Sequence, residues 1–346
     1  MRRSAVALAV LGAVTTGAYA QSSVTLFGIL DLAARNVRNG SAGSVKSLTS
    51  GGLNTSRIGF RGVEDLGSGL RAHFHLEAAQ NPDTGTTDTA KFFGRRATVG
   101  LSNPMGELRL GRDYNPTFWN TYWFDPFGAV GVGTILNFTT APQGTMGSGA
   151  TTVLRNDNSI GYFLPRNIGG IYGQAMVAAG EGTPGNKYVG GRLGFAAGPV
   201  DVAVAYGSTE TAFANDFDQA NAGASYDFGV AKVMALYHIA KFGDLKQRTM
   251  LVGATASFGQ SQVRASYAMH NRSGGSAAAG LSDDDDSKLM AVGYVYNLSK
   301  RTALYGTLAR IKNDGASRAV VNVSPPAGMR GGESSTGYEL GVSHIF

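Results

Sequence analysis

The sequence predicts an all-β fold, a sixteen-stranded antiparallel transmembrane β-barrel with short periplasmic turns and long extracellular loops. Three observations predict it. Segments of about ten residues, long enough for a tilted strand to cross a bilayer, alternate apolar and polar side chains. Compact turn signals join these segments in pairs. The polar set carries charge in segment after segment, which an apolar core could not hold.

The composition frames this. The chain has 346 residues, a formal net charge of +6, 50 glycines, 10 prolines and no cysteine. Glycine is about twice its usual share. Without cysteine, the chain is not a small disulfide-stapled module. Arg2 and Arg3 precede a short apolar run that ends in Ala18-Tyr19-Ala20, the pattern of a secretory signal peptide. Residues 1–20 are therefore read as a signal peptide cleaved before Gln21, and 21–346 as one barrel domain. Beyond residue 20 there is no apolar run of about 18 residues, so no helix is expected to span a bilayer. The pI near 9.4 invites a nucleic-acid reading, but the basic residues are dispersed singly rather than grouped with aromatics. No nucleic-acid partner is expected.

The strands follow in order. Segment 23–36 opens the mature chain. Seven hairpins come next: 55–63 with 70–80, 94–102 with 105–112, 158–165 with 171–179, 187–196 with 200–208, 218–227 with 230–241, 248–257 with 262–271, and 287–297 with 301–311. Segment 335–346 closes the series at Phe346. The turns inside the pairs are Gly, Asn, Asp or Pro clusters such as Asp65–Gly69, Asn103–Gly106 and Ala197–Pro199, the residue types of tight hairpins. Between pairs lie longer Gly-rich polar stretches, among them 38–54, 81–91 and 273–286. Short turns on one side and long loops on the other are the pattern of a membrane barrel.

The stretch GLRAHFHLEA, 69–78, shows which way the faces point. Leu70, Phe74 and Leu76 share one parity, and Arg71, His73, His75 and Glu77 the other. Arg57 with Arg61, Glu107 with Arg109, Arg192, and Arg264 with His270 extend the charged parity to other strands. Burying each charge unpaired would cost several kcal/mol. The apolar parity therefore faces lipid and the charged parity faces a wet bore. Closure also removes sheet edges, which a bilayer cannot solvate. Tyr162, Phe195, Tyr206, Phe228, Phe258, Tyr294 and Tyr296 are candidates for interfacial girdles.

The segments SVTLFGILD (23–31), TSRIGFRGVEDLGSGLRAHFHLE (55–77), RRATVGLSNPMGELRLGRDYNP (95–116), NSIGYFLP (158–165) and VGYVYNLSKRTALYG (292–306), with the terminal Phe346, resemble the general porins of Gram-negative bacteria, in particular the β-proteobacterial group. The resemblance implies an outer-membrane homotrimer, in contact with lipid and lipopolysaccharide, that passes small hydrophilic solutes and ions. It also implies a third loop folded into the lumen. Residues 113–154 suit that loop, being the longest interval between strands and holding Trp119, Trp123, Tyr114, Phe118, Tyr122, Phe124 and Phe127. Loops of that length are functional or disordered, and one so aromatic is expected to pack on the inner wall. Asp125-Pro-Phe-Gly128 resembles an acidic turn at its tip, and Asp113 opens it.

In anion-preferring members of the group, wall arginines face loop acids. Carried over segment by segment, the basic wall is Arg57, Arg95, Arg96 and Arg155, with Arg61 on the face of Arg57. Alternation alone puts Arg96 inward and Arg95 outward. Arginine stays charged and its planar fork matches carboxylate and phosphate, and such charges in a narrow passage concentrate anions. A weak anion preference is expected. The alternatives are a solvated arginine wall with near-neutral selectivity, an adhesin or receptor barrel, a soluble exported β-protein such as a lectin, and a substrate-specific channel for small anionic solutes.

Other signals carry less. His73-x-His75-x-Glu77 has a spacing found in zinc sites but few further partners in a chain of five histidines. Asp283–Asp286 reads as a solvated loop tip rather than a divalent-cation site. Gly128–Gly133 lacks the strand–helix setting of a dinucleotide fingerprint. Neither a nucleophile elbow nor a triad set is present, so no enzyme activity, cofactor or metal is expected.

Overall fold

The fold is that of a computed structural model, which describes residues 23–88, 90–140, 145–165, 168–274, 285–321 and 326–346. The signal peptide 1–20 and Asp283–Asp284 of the acidic run lie outside these residues. The strands among them are β1 (Ser23–Asn39), β2 (Ser44–Ser50), β3 (Arg57–Gly67), β4 (Leu70–Asn81), β5 (Thr86–Thr87), β6 (Arg96–Asn103), β7 (Gly106–Tyr114), β8 (Arg155–Phe163), β9 (Ile171–Ala178), β10 (Tyr188–Ala197), β11 (Val200–Thr209), β12 (Phe217–Asp227), β13 (Ala231–Phe242), β14 (Leu245–Phe258), β15 (Ser261–Ser273), β16 (Ser287–Asn297), β17 (Thr302–Asn313) and β18 (Ser335–Ile345). All pairings are antiparallel; the strands pair in chain order except that β1 also reaches β3 past β2 and β4 reaches β6 past β5, and β1 pairs with β18 to close the ring. β2 and β5 are short additions at the loop end: β2 flanks the upper part of β1 while β3 flanks the lower part, and β5 pairs only with the end of β4. The remaining sixteen strands are the barrel wall, each within a few residues of its expected place.

Turn chemistry sets the tight ends. Gly198, at φ +55°, occupies the left-handed region that a side chain disfavours, and Gly198-Pro199 alone joins β10 to β11. One connection on the loop side departs from the expectation of long loops. β13 and β14 pair out to Phe242 and Leu245, so only Gly243-Asp244 join them. The seam at the termini is closed by backbone: Gly28 N donates to Phe346 O and Phe346 N to Gly28 O, both at 3.0 Å. The Phe346 ring lies over Gly28, where a Cβ would meet it at 2.2 Å.

Alternation sorts the faces as the charge argument requires. Val99, Leu101, Val177, Leu193, Val204 and Leu308 are exposed on the outside, where hydrocarbon covers them. All seven candidate girdle aromatics are exposed as well. The inside is not uniform. The inward parity of β3, β4, β6 and β7 is charged, whereas Leu236, Leu251, Leu289, Ala309 and Ile311 on β13, β14, β16 and β17 are buried with the 115–154 loop in one apolar cluster. The wet bore therefore runs along one side of the barrel, and the loop fills the other.

Candidate channel constriction

The charged side of the bore is built from inward positions of β3 to β8. Arg57 on β3 reaches Glu77 on β4, Nη1 to Oε1 at 3.2 Å. Arg95 donates from Nε to the same Glu77 oxygen at 2.5 Å. Its Nη2 donates to the Tyr114 hydroxyl at 2.8 Å, and Arg155 Nη2 donates to that hydroxyl at 2.6 Å. Arg155 also donates from Nε to the carbonyl of Arg95 at 2.9 Å and lies 4.2 Å from the centre of the Tyr114 ring. Three guanidiniums thus converge on one carboxylate and one phenol.

Arg95 settles the conflict over alternation. Strand β6 begins at Arg96, so Arg95 lies one residue before the ladder and is free of its period. Both side chains serve the bore, Arg95 at Glu77 and Arg96 at Asp113, 3.4 Å from Nε to Oδ1. Arg61 sits apart, on the same inward parity four residues toward the tight turns. It is exposed, with its guanidinium 5.3 Å from the Phe27 ring.

A second group lies below. Arg109 on β7 pairs with Glu107 and, from Nη1 to Oδ2 at 3.1 Å, with Asp113. His73 Nε2 is 3.2 Å from Glu107, and His75 Nε2 is 3.2 Å from Glu77. The two histidines thus face different acids, and among the described residues no group of three or more metal-ligating side chains comes together. Along the wall, four arginines (57, 95, 96, 109) meet three carboxylates (77, 107, 113), and Arg155 stands beside them. Arg155 has no carboxylate partner among the described residues, so the surplus positive charge is concentrated near Tyr114.

The loop opposite starts with helix α1 (Pro116–Phe124). Asn115 caps it, accepting from Phe118 N at 2.7 Å, and proline stands in its first turn; both are start signals. One face holds Thr117, Asn120, Thr121 and Phe124 against β9 to β13. Asn221 Nδ2 donates to Thr117 O at 2.8 Å and Arg192 Nε to Asn120 Oδ1. The other face turns Phe118, Trp119, Tyr122 and Trp123 to the bore. The loop then circles the wall as far as β18, where Val132 N donates to Glu339 at 3.2 Å, an acid fixed by Arg35 at 2.7 Å. Helix α2 (Leu136–Thr139) follows, with Phe138 stacked on His270, centroids 4.9 Å apart.

Wall glycines make room for this path. A Cβ on Gly223 would lie 2.0 Å from Phe124, on Gly253 2.4 Å from Pro126, and on Gly337 3.2 Å from Val132. Sequence reasoning did not single out this track. Its signal is legible afterwards: glycines at inward positions of strands β12, β14 and β18.

Of the two candidate loop acids, one falls outside the loop and the other stands in its expected turn but faces its own backbone. Asp113 belongs to β7 and is a wall residue, because the strand continues to Tyr114; the loop proper is 115–154. Asp125 does stand in a turn, but its carboxylate is spent on its own loop. It accepts from Phe127 N at 2.9 Å, Ala129 N at 3.3 Å, Thr134 Oγ1 at 2.9 Å and Ile135 N at 3.2 Å. Burial pushes its carboxyl above the ordinary range, against the pull of those donors. Asp285 and Asp286 likewise accept from protein donors, Ala316 N and Asn271 Nδ2, each at 2.6 Å.

Known proteins share this fold. A family model described as Gram-negative porin matches residues 7–316. The chain is 38% identical to outer membrane porin protein 32 of Delftia acidovorans, over the full length of both. It is 29% identical to an outer membrane porin of Bordetella pertussis, covering 90% of this chain and 95% of that one. The solved anion-selective porin from Comamonas acidovorans superposes with a TM-score of 0.81 at 37% identity, over 94% of this chain and 100% of that one. OmpT of Vibrio cholerae, at 13% identity and TM-score 0.66 over 94% and 99% of the two chains, shares the fold.

Proposed function

The chain belongs to the Gram-negative porin family and is an outer-membrane porin, and from that premise we propose that its bore prefers anions weakly, with selectivity set by Arg57, Arg95, Arg96 and Arg155. Small hydrophilic solutes and ions cross by passive diffusion, with no catalysis and no bound cofactor. One observation carries the reading: Arg57 and Arg95 share the single carboxylate of Glu77 and Arg155 joins Arg95 at the Tyr114 hydroxyl, across the bore from a loop whose Asp125 is turned inward on itself. A monovalent anion 4 Å from one uncompensated guanidinium gains about 4 kcal/mol at an effective dielectric of 20, less after screening by salt. The anion-selective description of the Comamonas acidovorans structure supports the same sign.

Arg61 contributes to the field of the vestibule rather than to the narrow zone. The proposal includes residues 115–154 as the constriction loop, a homotrimer embedded in lipid and lipopolysaccharide, and export by the 1–20 signal peptide. Reversal potentials of reconstituted channels in a KCl gradient test the selectivity. The wild type should read anion-preferring, and Arg57→Ala, Arg95→Ala and Arg155→Ala should each move the potential toward cations. A cation-preferring wild type would overturn it.

A further inference from the structure

Resting on that diffusion-channel reading, we propose that the bore holds a recognition site for monocyclic aromatic carboxylates, formed between the aromatic edge of α1 and the guanidiniums of Arg96, Arg109 and Arg192. The aromatic edge is continuous. Tyr114 stacks on Phe118 with centroids 4.8 Å apart, Trp119 on Trp123 at 6.4 Å, and Tyr122 meets Trp123 edge-on at 5.1 Å. Trp123 is 52% exposed and Tyr122 38%. These rings point into an aqueous passage, not into lipid, because α1 lies inside the barrel.

The helix cannot turn them away. Its opposite face is fixed by Phe124 on Gly223, by Asn221 on the Thr117 carbonyl and by Arg192 on Asn120. A channel that sorted solutes by charge alone would gain nothing from indole surface held open to water. Covering the exposed part of Trp123 removes from water a share of the 150–250 Å² that such a side chain buries in full.

Trp119 and Trp123 border a space of about 540 Å³ that is also lined by Arg96, Arg109, Arg192 and Tyr172 and by one acid, Glu107, which Arg109 pairs. That is within the size range of small-molecule sites. The guanidinium of Arg109 lies 3.9 Å from the Phe163 ring and that of Arg192 4.6 Å from the Tyr172 ring. Each ring packs on one face of a planar guanidinium; Arg109 is engaged through Nε and Nη1 by Glu107 and Asp113, and Arg192 through Nε and Nη2 by Asn120 and Tyr172, so Nη2 of Arg109 and Nη1 of Arg192 are the donors outside those contacts that a planar acid would meet. Arg192 makes no ion pair among the described residues. Acetate or chloride can use only the guanidiniums. A neutral aromatic can use only the indoles. A benzoate-like anion spans both and stays weakly enough held to pass, as conduction requires.

Planar-bilayer recordings in KCl, with sodium benzoate or sodium cyclohexanecarboxylate added on one side, test this. The two anions match in charge and differ in the π face. Benzoate should interrupt the current at about fivefold lower concentration, the ratio that about 1 kcal/mol of ring stacking gives. Trp123→Ala and Trp119→Ala should erase the difference, and Trp123→Phe should keep part of it. Trp123→Phe and Trp119→Phe carry the test if the alanine variants form no channels. Equal block by the two anions in the wild type, or a difference that survives loss of both indoles, would overturn the inference. The KCl reversal potential on the same channels reports separately on anion preference, so its failure counts against the proposed selectivity and not against the aromatic site.

Discussion

Phe124 rests on Gly223 so closely that a Cβ on the glycine would stand 2.0 Å from the ring. The contact pins α1 to β12 and thereby sets the width of the bore. Gly223→Val should lift the helix toward the arginine wall while leaving the strand ladders intact. Dislodging a buried phenylalanine forfeits up to about 3–5 kcal/mol of packing. Single-channel conductance should fall; an unchanged conductance in a channel that still forms would mean the seat does not control the passage.

Glu77 is the one acid between Arg57 and Arg95. Glu77→Gln removes it with little change of shape, so anion preference should rise, read as a shift of reversal potential away from cations. The two guanidiniums then repel each other. Breaking a fully buried pair costs about 3–5 kcal/mol, and bore water should hold the loss below that in thermal unfolding of the detergent-solubilised barrel. A shift toward cations would contradict the assignment.

Tyr114→Phe separates position from charge. The hydroxyl accepts from Arg95 and Arg155, and each such bond to a charged donor is worth about 1.5–3 kcal/mol. The ring under Arg155 remains. Reversal potential should change less than in Arg155→Ala, while current noise should rise as the two side chains gain freedom. A shift as large as that of Arg155→Ala would show that geometry, not charge number, dominates.

Asp125 belongs to the loop, and burial raises its carboxyl above the ordinary range. The folded protein therefore holds that proton more tightly than the unfolded chain. By linkage, this site's contribution to stability falls as pH rises from the ordinary carboxylate range through the raised value, and acidification restores it. Asp125→Asn has no such dependence. The stability of wild type relative to Asp125→Asn, followed by thermal unfolding across a pH series, should decline with increasing pH in that window. A relative stability that climbs with pH would reverse the sign and sink the argument.

The convergence of Arg57, Arg95 and Arg155 on Glu77 and Tyr114 is partly legible in the sequence. Period-two alternation identifies Arg57 as inward from its own strand. For Arg95 alternation pointed the wrong way, because a strand's first residue cannot be located from pattern alone. The sequence groups Asp113 and Asp125 as acids of the loop, yet one is a wall residue and the other anchors a turn. Nothing within a few residues of either fixes its partners, which are Arg96 and Arg109 in the first case and four loop donors in the second.

By itself the sequence determined the sixteen wall strands, their order, their hairpins and which face meets lipid, though not the added β2 and β5. These follow from local rules, since neighbouring side chains on a strand must point apart and glycine permits turns that other residues resist. Only the tertiary structure decided the path of the 115–154 loop, the apolar seat under it and the side of the bore left to water. Those depend on contacts such as Phe124 with Gly223 and Val132 with Glu339, which join residues far apart in the chain and exist only once the ring has closed.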